Sequence, residues 1–135
     1  MKKVLWVLLL LPLFLTGCYE KMVTKSYDIK TTYTAYIGDV ILSEEVTMDT
    51  GIATAKLSKF ELLYNGKVGN TINITYREYY GYTPQNSFTS RWLVKDGFTQ
   101  QLNYDLDNSK IINYKGRVIE ILEINSDNSI AFMVQ

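Results

Sequence analysis

The chain has 135 residues, with 14 basic and 14 acidic side chains and no histidine. Beyond the first three positions the basic residues are scattered singly, so there is no basic stripe to displace counterions, which excludes nucleic-acid binding as a leading interpretation. The lack of histidine removes the commonest general base and the commonest metal ligand. We therefore predict a protein that is not an enzyme and that holds no metal or cofactor.

The first part of the chain has the pattern of an export signal. Lys2 and Lys3 precede an apolar run over residues 4–15 that only Pro12 interrupts. This run of 12 residues is shorter than the roughly 20 that a membrane-spanning helix needs. A basic head, a short apolar centre and small residues after it are typical of a secretory signal peptide. We predict that residues 1–17 are such a signal and not a buried first element of the fold.

The four residues Leu15-Thr16-Gly17-Cys18 follow directly. They resemble the lipobox of bacterial lipoproteins, and the resemblance covers residues 1–18 only. It implies that the signal is cut before Cys18, that the Cys18 thiol receives a diacylglycerol, and that the new α-amine is usually acylated as well. Each buried methylene contributes about 0.8 kcal/mol, so two or three acyl chains give a stable membrane anchor.

Tyr19, and not an aspartate, follows Cys18. In Gram-negative lipoproteins that look like this, a residue other than Asp at this position goes with sorting to the outer membrane. The expected location is therefore the outer membrane, facing the periplasm. In a Gram-positive organism the anchor would be the cell membrane.

The mature chain would be residues 18–135, which is enough for one domain with a real core. The 14 basic residues less Lys2 and Lys3 leave 12, against 14 acidic residues, a net charge of about −2. Cys18 is the only cysteine, so the domain has no thiol for a disulfide, a redox site or a metal. We predict a lipidated tether over residues 18–25 and one domain over residues 26–135.

Most of residues 26–135 alternate between apolar and polar positions, which is the pattern of half-buried strands. Asn65-Gly66 and Asp96-Gly97 predict tight hairpin turns, and residues 81–87 predict a loop. Because turn signals recur about every eight to twelve residues, we predict an all-β fold, either a small antiparallel sandwich or an SH3-like barrel. Residues 111–134 resemble the last strands of SH3-like barrels, a likeness of fold that implies no function. The predicted strands are 26–37, 40–46, 52–64, 70–80, 88–95, 98–106, 110–114, 117–124 and 129–134.

Two acidic patterns in the sequence have the residue types of a metal site or a catalytic site. Asp105, Asp107 and Ser109 alternate like the first ligands of a calcium loop, but the rest of that motif is missing, and a hydrogen-bonded surface turn is the favoured interpretation. Glu44, Glu45 and Asp49 are close in sequence and could be paired carboxylates, with Glu78 as a further candidate, but a polar surface loop is the favoured interpretation. Such a pair would need a concave pocket and one acid with a raised pKa.

Aromatic content is the one feature above background, with 11 tyrosines. Tyrosine suits interfaces and sugar stacking because it offers a large rigid surface with a polar end. It is also simply a good strand former. If the domain has a binding face, we expect it at Tyr79, Tyr80, Tyr82 and Trp92.

These observations favour a membrane-anchored, non-enzymatic binding or interaction module whose partner is an envelope protein or a glycan. Exclusion of phage or plasmids and envelope assembly are compatible roles. The alternatives are an enzyme that acts on glycan or peptide through carboxylates alone, and a purely structural component of the envelope.

Overall fold

The computed structural model describes residues 19–135, and these residues form nine strands and no helix. All neighbouring strands within the sheets are antiparallel. The described part of the chain therefore contains no helix long and apolar enough to cross a membrane. The strands are β1 (Glu20–Lys25), β2 (Thr32–Ala35), β3 (Val40–Asp49), β4 (Thr54–Val68), β5 (Thr71–Tyr82), β6 (Arg91–Asp105), β7 (Ile111–Tyr114), β8 (Arg117–Ile124) and β9 (Ile130–Val134).

The strands form two sheets that pack on each other. The larger sheet has the order β1-β3-β4-β5-β6, and the smaller has the order β2-β9-β8-β7. The chain therefore passes from the larger sheet to the smaller one at β2, returns for β3 to β6, and ends in the smaller sheet. This arrangement confirms the predicted all-β, antiparallel sandwich-like or barrel-like fold.

The core lies between the two sheets. Alternate residues of a strand point to the same face, so β4 and β5 each send every second side chain into it. Full burial of such an aliphatic or aromatic side chain contributes about 1.5–3 kcal/mol. The buried hydrophobic residues are Tyr27, Ala35, Ile41, Leu42, Leu62, Tyr64, Ile72, Ile74, Tyr76, Ile112, Ile119, Ile121, Ile130, Phe132 and Val134.

The larger sheet extends beyond the smaller one. β4 has 15 residues and β5 has 12, whereas the longest strand of the smaller sheet, β8, has 8. At about 3.3 Å per residue the smaller sheet cannot cover the whole length of these strands. We call the part of the larger sheet that faces the core the covered half. The remainder, residues 45–49, 54–59, 78–82 and 91–95 with the β1 residues that pair with it, is the overhanging half.

The predicted hairpin at Asn65-Gly66 is wrong. β4 continues to Val68, and these two residues lie opposite the single β5 residue Asn73 as a β-bulge. Gly66 has a φ of 98°, and Asn65 Nδ2 donates to Thr75 Oγ1 at 2.6 Å. The turn between β4 and β5 lies at residues 69–70 instead.

The predicted turn at Asp96-Gly97 is also wrong, because β6 passes through it. Arg77 pairs with Thr99 and Tyr79 pairs with Val94, so β6 residues 95–98 lie opposite the single residue 78. Gly97 has a φ of 76°, the conformation that this local excursion of the strand requires.

The start of the described chain differs from its prediction as well. Most of the predicted tether, residues 18–25, belongs to β1, which pairs with Glu44–Asp49 of β3 along its whole length. The first predicted strand, 26–37, contains only β2, and the predicted 81–87 loop starts after Tyr82. The predicted signal peptide, residues 1–17, and the predicted lipidation site, Cys18, lie outside the described residues.

Candidate functional site

A groove of about 580 Å³ opens on the overhanging half of the larger sheet, beside the turn between β7 and β8. Half-buried and exposed apolar side chains from three strands line it, and charged groups border them. The bulged segment of β6 and the β7–β8 turn each contribute a lysine. The lining residues are Glu44, Val46, Leu57, Ser58, Lys59, Phe60, Glu78, Tyr79, Tyr80, Lys95 and Lys115.

Glu44 stands where the groove meets the core, and it joins the two sheets. Its Oε1 accepts hydrogen bonds from the Tyr27 hydroxyl and from Arg117 Nε, both at 2.5 Å, and its Oε2 accepts one from Arg117 Nη2 at 3.1 Å. The bidentate Arg117 guanidinium lowers the pKa of Glu44 against the opposing effect of burial. Burial and the Glu44 carboxylate raise the pKa of Tyr27 to about 12.

Glu78 forms a second cluster at the same boundary. Its carboxylate accepts hydrogen bonds from Lys115 Nζ at 2.6 Å and from the Tyr76 hydroxyl, and it lies 3.5 Å from Lys95 Nζ. The Lys115 and Tyr76 hydrogen bonds lower the pKa of Glu78 to about 2. The Lys115 ammonium also lies 4.8 Å from the centre of the Tyr76 ring and 5.5 Å from that of Phe60, within the range of cation–π attraction.

The groove contains Glu44 and Glu78, as the carboxylate-enzyme hypothesis requires, but their surroundings do not fit acid catalysis. A general acid needs a raised pKa, and basic neighbours lower the pKa of both groups. Glu45 is paired with Lys59 Nζ at 3.0 Å, and Asp49 accepts a hydrogen bond from the Gly51 amide at 2.8 Å. Ion pairs and hydrogen bonds therefore fix these four carboxylates in place.

The four aromatic residues singled out in the sequence do not form one face. Tyr80 lines the groove and is 45% exposed. Tyr79 is also among the residues that line the groove, but it precedes Tyr80 on the strand, so its ring points to the opposite face, where its hydroxyl donates to Glu61. Trp92 pairs with Gly81 and therefore shares the face of Tyr79, whereas Tyr82 shares that of Tyr80. The structure divides the predicted binding face into two pairs.

Several groove residues had no signal in the sequence. Lys115 lay between two predicted strands, Arg117 began the second of them, and each reaches a glutamate in the larger sheet. Arg117 and Glu44 are 73 positions apart, a separation that no local pattern reports. For Phe60 a signal was present but not used, because it lies two positions from Leu62 on β4 and alternate residues of a strand share a face.

The other acidic candidates are accounted for by local hydrogen bonds. Asp105 Oδ1 accepts the Asp107 amide at 3.0 Å and Asp105 Oδ2 accepts Asn108 Nδ2 at 2.9 Å, while Asp107 Oδ1 accepts Asn70 Nδ2 at 2.6 Å. Between residues 19 and 135 no three acidic side chains gather in a way that could hold a metal ion.

Comparisons with known proteins gave no match: no protein-family model fits the chain, and no curated protein and no solved structure was found to be similar to it.

Proposed function

We propose that this chain is a bacterial lipoprotein, anchored through lipid on Cys18 to the periplasmic side of the outer membrane, and that its β-domain is a non-enzymatic binding module. The groove on the overhanging half is the binding site. Its partner is a protein or a glycan of the cell envelope. The lipobox-like residues Leu15-Thr16-Gly17-Cys18 support the anchor.

The observation that supports the binding role is that the groove combines an apolar wall with a lysine ammonium group held in a fixed position. Leu57 and Tyr80 are 39% and 45% exposed, so they offer apolar and aromatic surface to a ligand. Lys115 is held in position by Glu78 and by two aromatic rings, so little side-chain freedom remains to be lost when it binds a partner's acidic or hydroxyl group. Aromatic anchors beside ordered charges are typical of recognition surfaces.

The anchor is tested by mass spectrometry of the membrane-extracted protein. We expect a species that starts at Cys18 and carries acyl mass, and we expect the Cys18→Ser variant to lack it. A soluble, unacylated wild-type product would contradict the anchor.

The groove is tested by photocrosslinking in intact cells. A photoreactive phenylalanine derivative at Tyr80 should give a discrete crosslinked product with an envelope component. The same derivative at Tyr36, which is 56% exposed and lies far from the groove in the turn before β3, is the matched control. Equal crosslinking from both positions, or none from Tyr80, would contradict the groove as the binding site.

A further inference from the structure

Exposed apolar residues gather at the end of the larger sheet where the described chain begins. Glu20, at the start of β1, pairs with Asp49 at the end of β3, and Tyr82, at the end of β5, pairs with Arg91 at the start of β6. The β3–β4 and β5–β6 connections therefore leave the sheet at one end, which we call the anchor end. They lie two strand spacings apart, roughly 10 Å. The exposed or half-buried apolar and aromatic residues there are Tyr19, Ile52, Tyr82, Phe88 and Trp92.

Each of the two connections presents one large apolar side chain outward. Ile52 is 84% exposed, at the tip of a turn closed by a Thr50 Oγ1 hydrogen bond to the Ala53 carbonyl at 2.7 Å. Phe88 is 79% exposed, and its neighbours are tied together by the Thr89 amide donating to Ser87 Oγ at 3.1 Å. Neither connection, residues 50–53 or 83–90, contains a charged side chain.

A basic side chain lies over the ring of each of the two aromatic residues next to these connections. The Arg91 guanidinium lies 5.2 Å from the Tyr82 ring, and the Lys56 ammonium lies 5.4 Å from the Trp92 ring. Aromatic rings with one apolar and one polar side, flanked by long basic side chains, are enriched where proteins meet the headgroup region of a bilayer.

The connections at the opposite end of the molecule differ in charge. The β2–β3, β6–β7 and β8–β9 connections there contain Asp39, Asp107, Lys110 and Asp127, and a charged side chain is costly to bring against a lipid surface. Exposed apolar residues also occur at the opposite end, at Tyr36, Ile37, Val40 and Val68. The anchor end differs in that its connections 50–53 and 83–90 carry no charge, while Glu20 and Asp49 balance Lys56 and Arg91 in the adjoining strands.

The length of chain between the lipid and the fold decides what covers the anchor end. Since β1 begins at Glu20, only two residue steps separate Cys18 from the sheet. At no more than about 3.5 Å per residue, this is a reach of roughly 7 Å. A lipid on Cys18 would therefore hold the anchor end against the membrane, whereas the tether predicted from the sequence would have let the domain stand well away from it.

We propose that the anchor end is a membrane-docking surface: Ile52 and Phe88 enter the headgroup region of the bilayer that carries the Cys18 lipid, and Tyr82 and Trp92 lie at its border. This inference rests on the lipid anchor of the proposed function. It fixes the orientation of the domain, with the strands of the larger sheet upright on the membrane and the groove opening sideways.

The fluorescence of Trp92 tests the docking. Trp6 is the only other tryptophan and lies in the predicted signal, so Trp92 alone reports in a mature chain. The acylated protein is reconstituted in vesicles of phosphatidylethanolamine and phosphatidylglycerol that contain lipids brominated at shallow or at deep acyl positions. We expect quenching of Trp92, stronger from the shallow bromines. The Ile52→Asp, Phe88→Asp double variant should lose most of this quenching, and Val68→Asp, at an exposed position on the opposite end, should keep it.

Each outcome decides the matter. Acylated, vesicle-bound protein whose Trp92 is not quenched overturns the docking surface and leaves the lipid anchor standing. A product without acyl mass overturns both. If the double variant keeps its quenching but loses a crosslinked envelope protein, the anchor end is a protein contact and the inference is wrong. Quenching of the unaltered protein remains a test even if the double variant does not fold.

Discussion

The covered and overhanging halves of the larger sheet are made from the same strands but carry different side chains. In β4, Leu62 and Tyr64 are buried in the covered half, whereas Leu57, the extra residue of a β-bulge opposite Val46 and Thr47, lines the groove of the overhanging half and is 39% exposed. In β5, Tyr76 is buried and Tyr80 is 45% exposed. The inner face of each strand thus changes from core to accessible surface within about four residues, without any break in the pairing of β4 with β5.

The boundary between the halves is marked by ion pairs. Glu44 with Arg117 and Glu78 with Lys115 each join the larger sheet to the β7–β8 hairpin. A charged pair at this position is partly screened and fully hydrogen-bonded, so it closes the edge of the core without leaving a buried polar group unpaired. The comparison teaches that the length of the smaller sheet decides which part of a continuous strand is buried in the core and which part stays accessible.

The largest expected effect is a difference in stability between alanine variants of two leucines in β4. Leu62→Ala should lower the free energy of unfolding by about 2–5 kcal/mol, because it leaves a cavity in a packed core. Leu57→Ala, in the overhanging half, should lower it by less than about 1 kcal/mol. Urea unfolding followed by circular dichroism measures both. Similar losses for the two variants would show that the overhanging half is packed as tightly as the covered half.

A smaller effect is expected at Gly81, where a Cβ atom would lie 1.7 Å from the Lys56 carbonyl oxygen. Gly81→Ala must push β4 and β5 apart in the overhanging half, at a cost of about 1–3 kcal/mol. Hydrogen exchange should show faster exchange of amides in this half and little change around Ile74. Tyr82→Ala, one position away, is the control and should leave the exchange pattern unchanged. Uniformly faster exchange in the Gly81→Ala protein would mean that the two halves do not respond separately.

The smallest effect concerns the boundary and its pH dependence. The folded pKa of Glu78 is about 2, below its ordinary 4.5, so its ionised form stabilises the fold above pH 4.5 and this contribution is lost as the pH falls toward 2. Glu78→Gln should cost about 1 kcal/mol at pH 7, since the partner lysines are well exposed, and should flatten the loss of stability in acid. Glu123→Gln, at an exposed position, should change neither. Urea unfolding at a series of pH values between 2 and 7 measures this; parallel wild-type and Glu78→Gln curves would contradict the role of Glu78.

Part of the fold could be predicted from the sequence because alternation and burial have the same origin. The prediction for residues 117–124 coincides with β8, and those for 52–64 and 70–80 fall on β4 and β5. The Asn-Gly and Asp-Gly pairs led to two wrong hairpin predictions. Their glycines readily adopt a positive φ, and both hairpin turns and β-bulges use that conformation. Only the register of the neighbouring strand decides between them, and register is set by long-range packing.

The candidate site was less predictable than the fold. Tyr79 and Tyr80 could have been assigned to opposite faces from their adjacency alone, so that part of the prediction neglected a local rule. The contacts of Glu44 with Tyr27 and Arg117 depend on how two sheets pack, and no pattern within one strand contains that information. The exposed residues that were expected to be a loose tether carried no signal of pairing, because β1 is stabilised by β3 and not by burial of its own side chains.

The pairing of β1 with β3 has a mechanical consequence. β1 begins at Glu20, so a pull directed along this strand from its first residue would act on its pairing with β3. Interstrand hydrogen bonds in an antiparallel pair run perpendicular to the strands, and a force along the strand therefore loads them together in shear and does not open them one after another. Six residue pairs, from Glu20 with Asp49 to Lys25 with Glu44, share that load. An exposed edge strand of this kind is suited to transmit tension from the end of the chain into the sheet without unravelling.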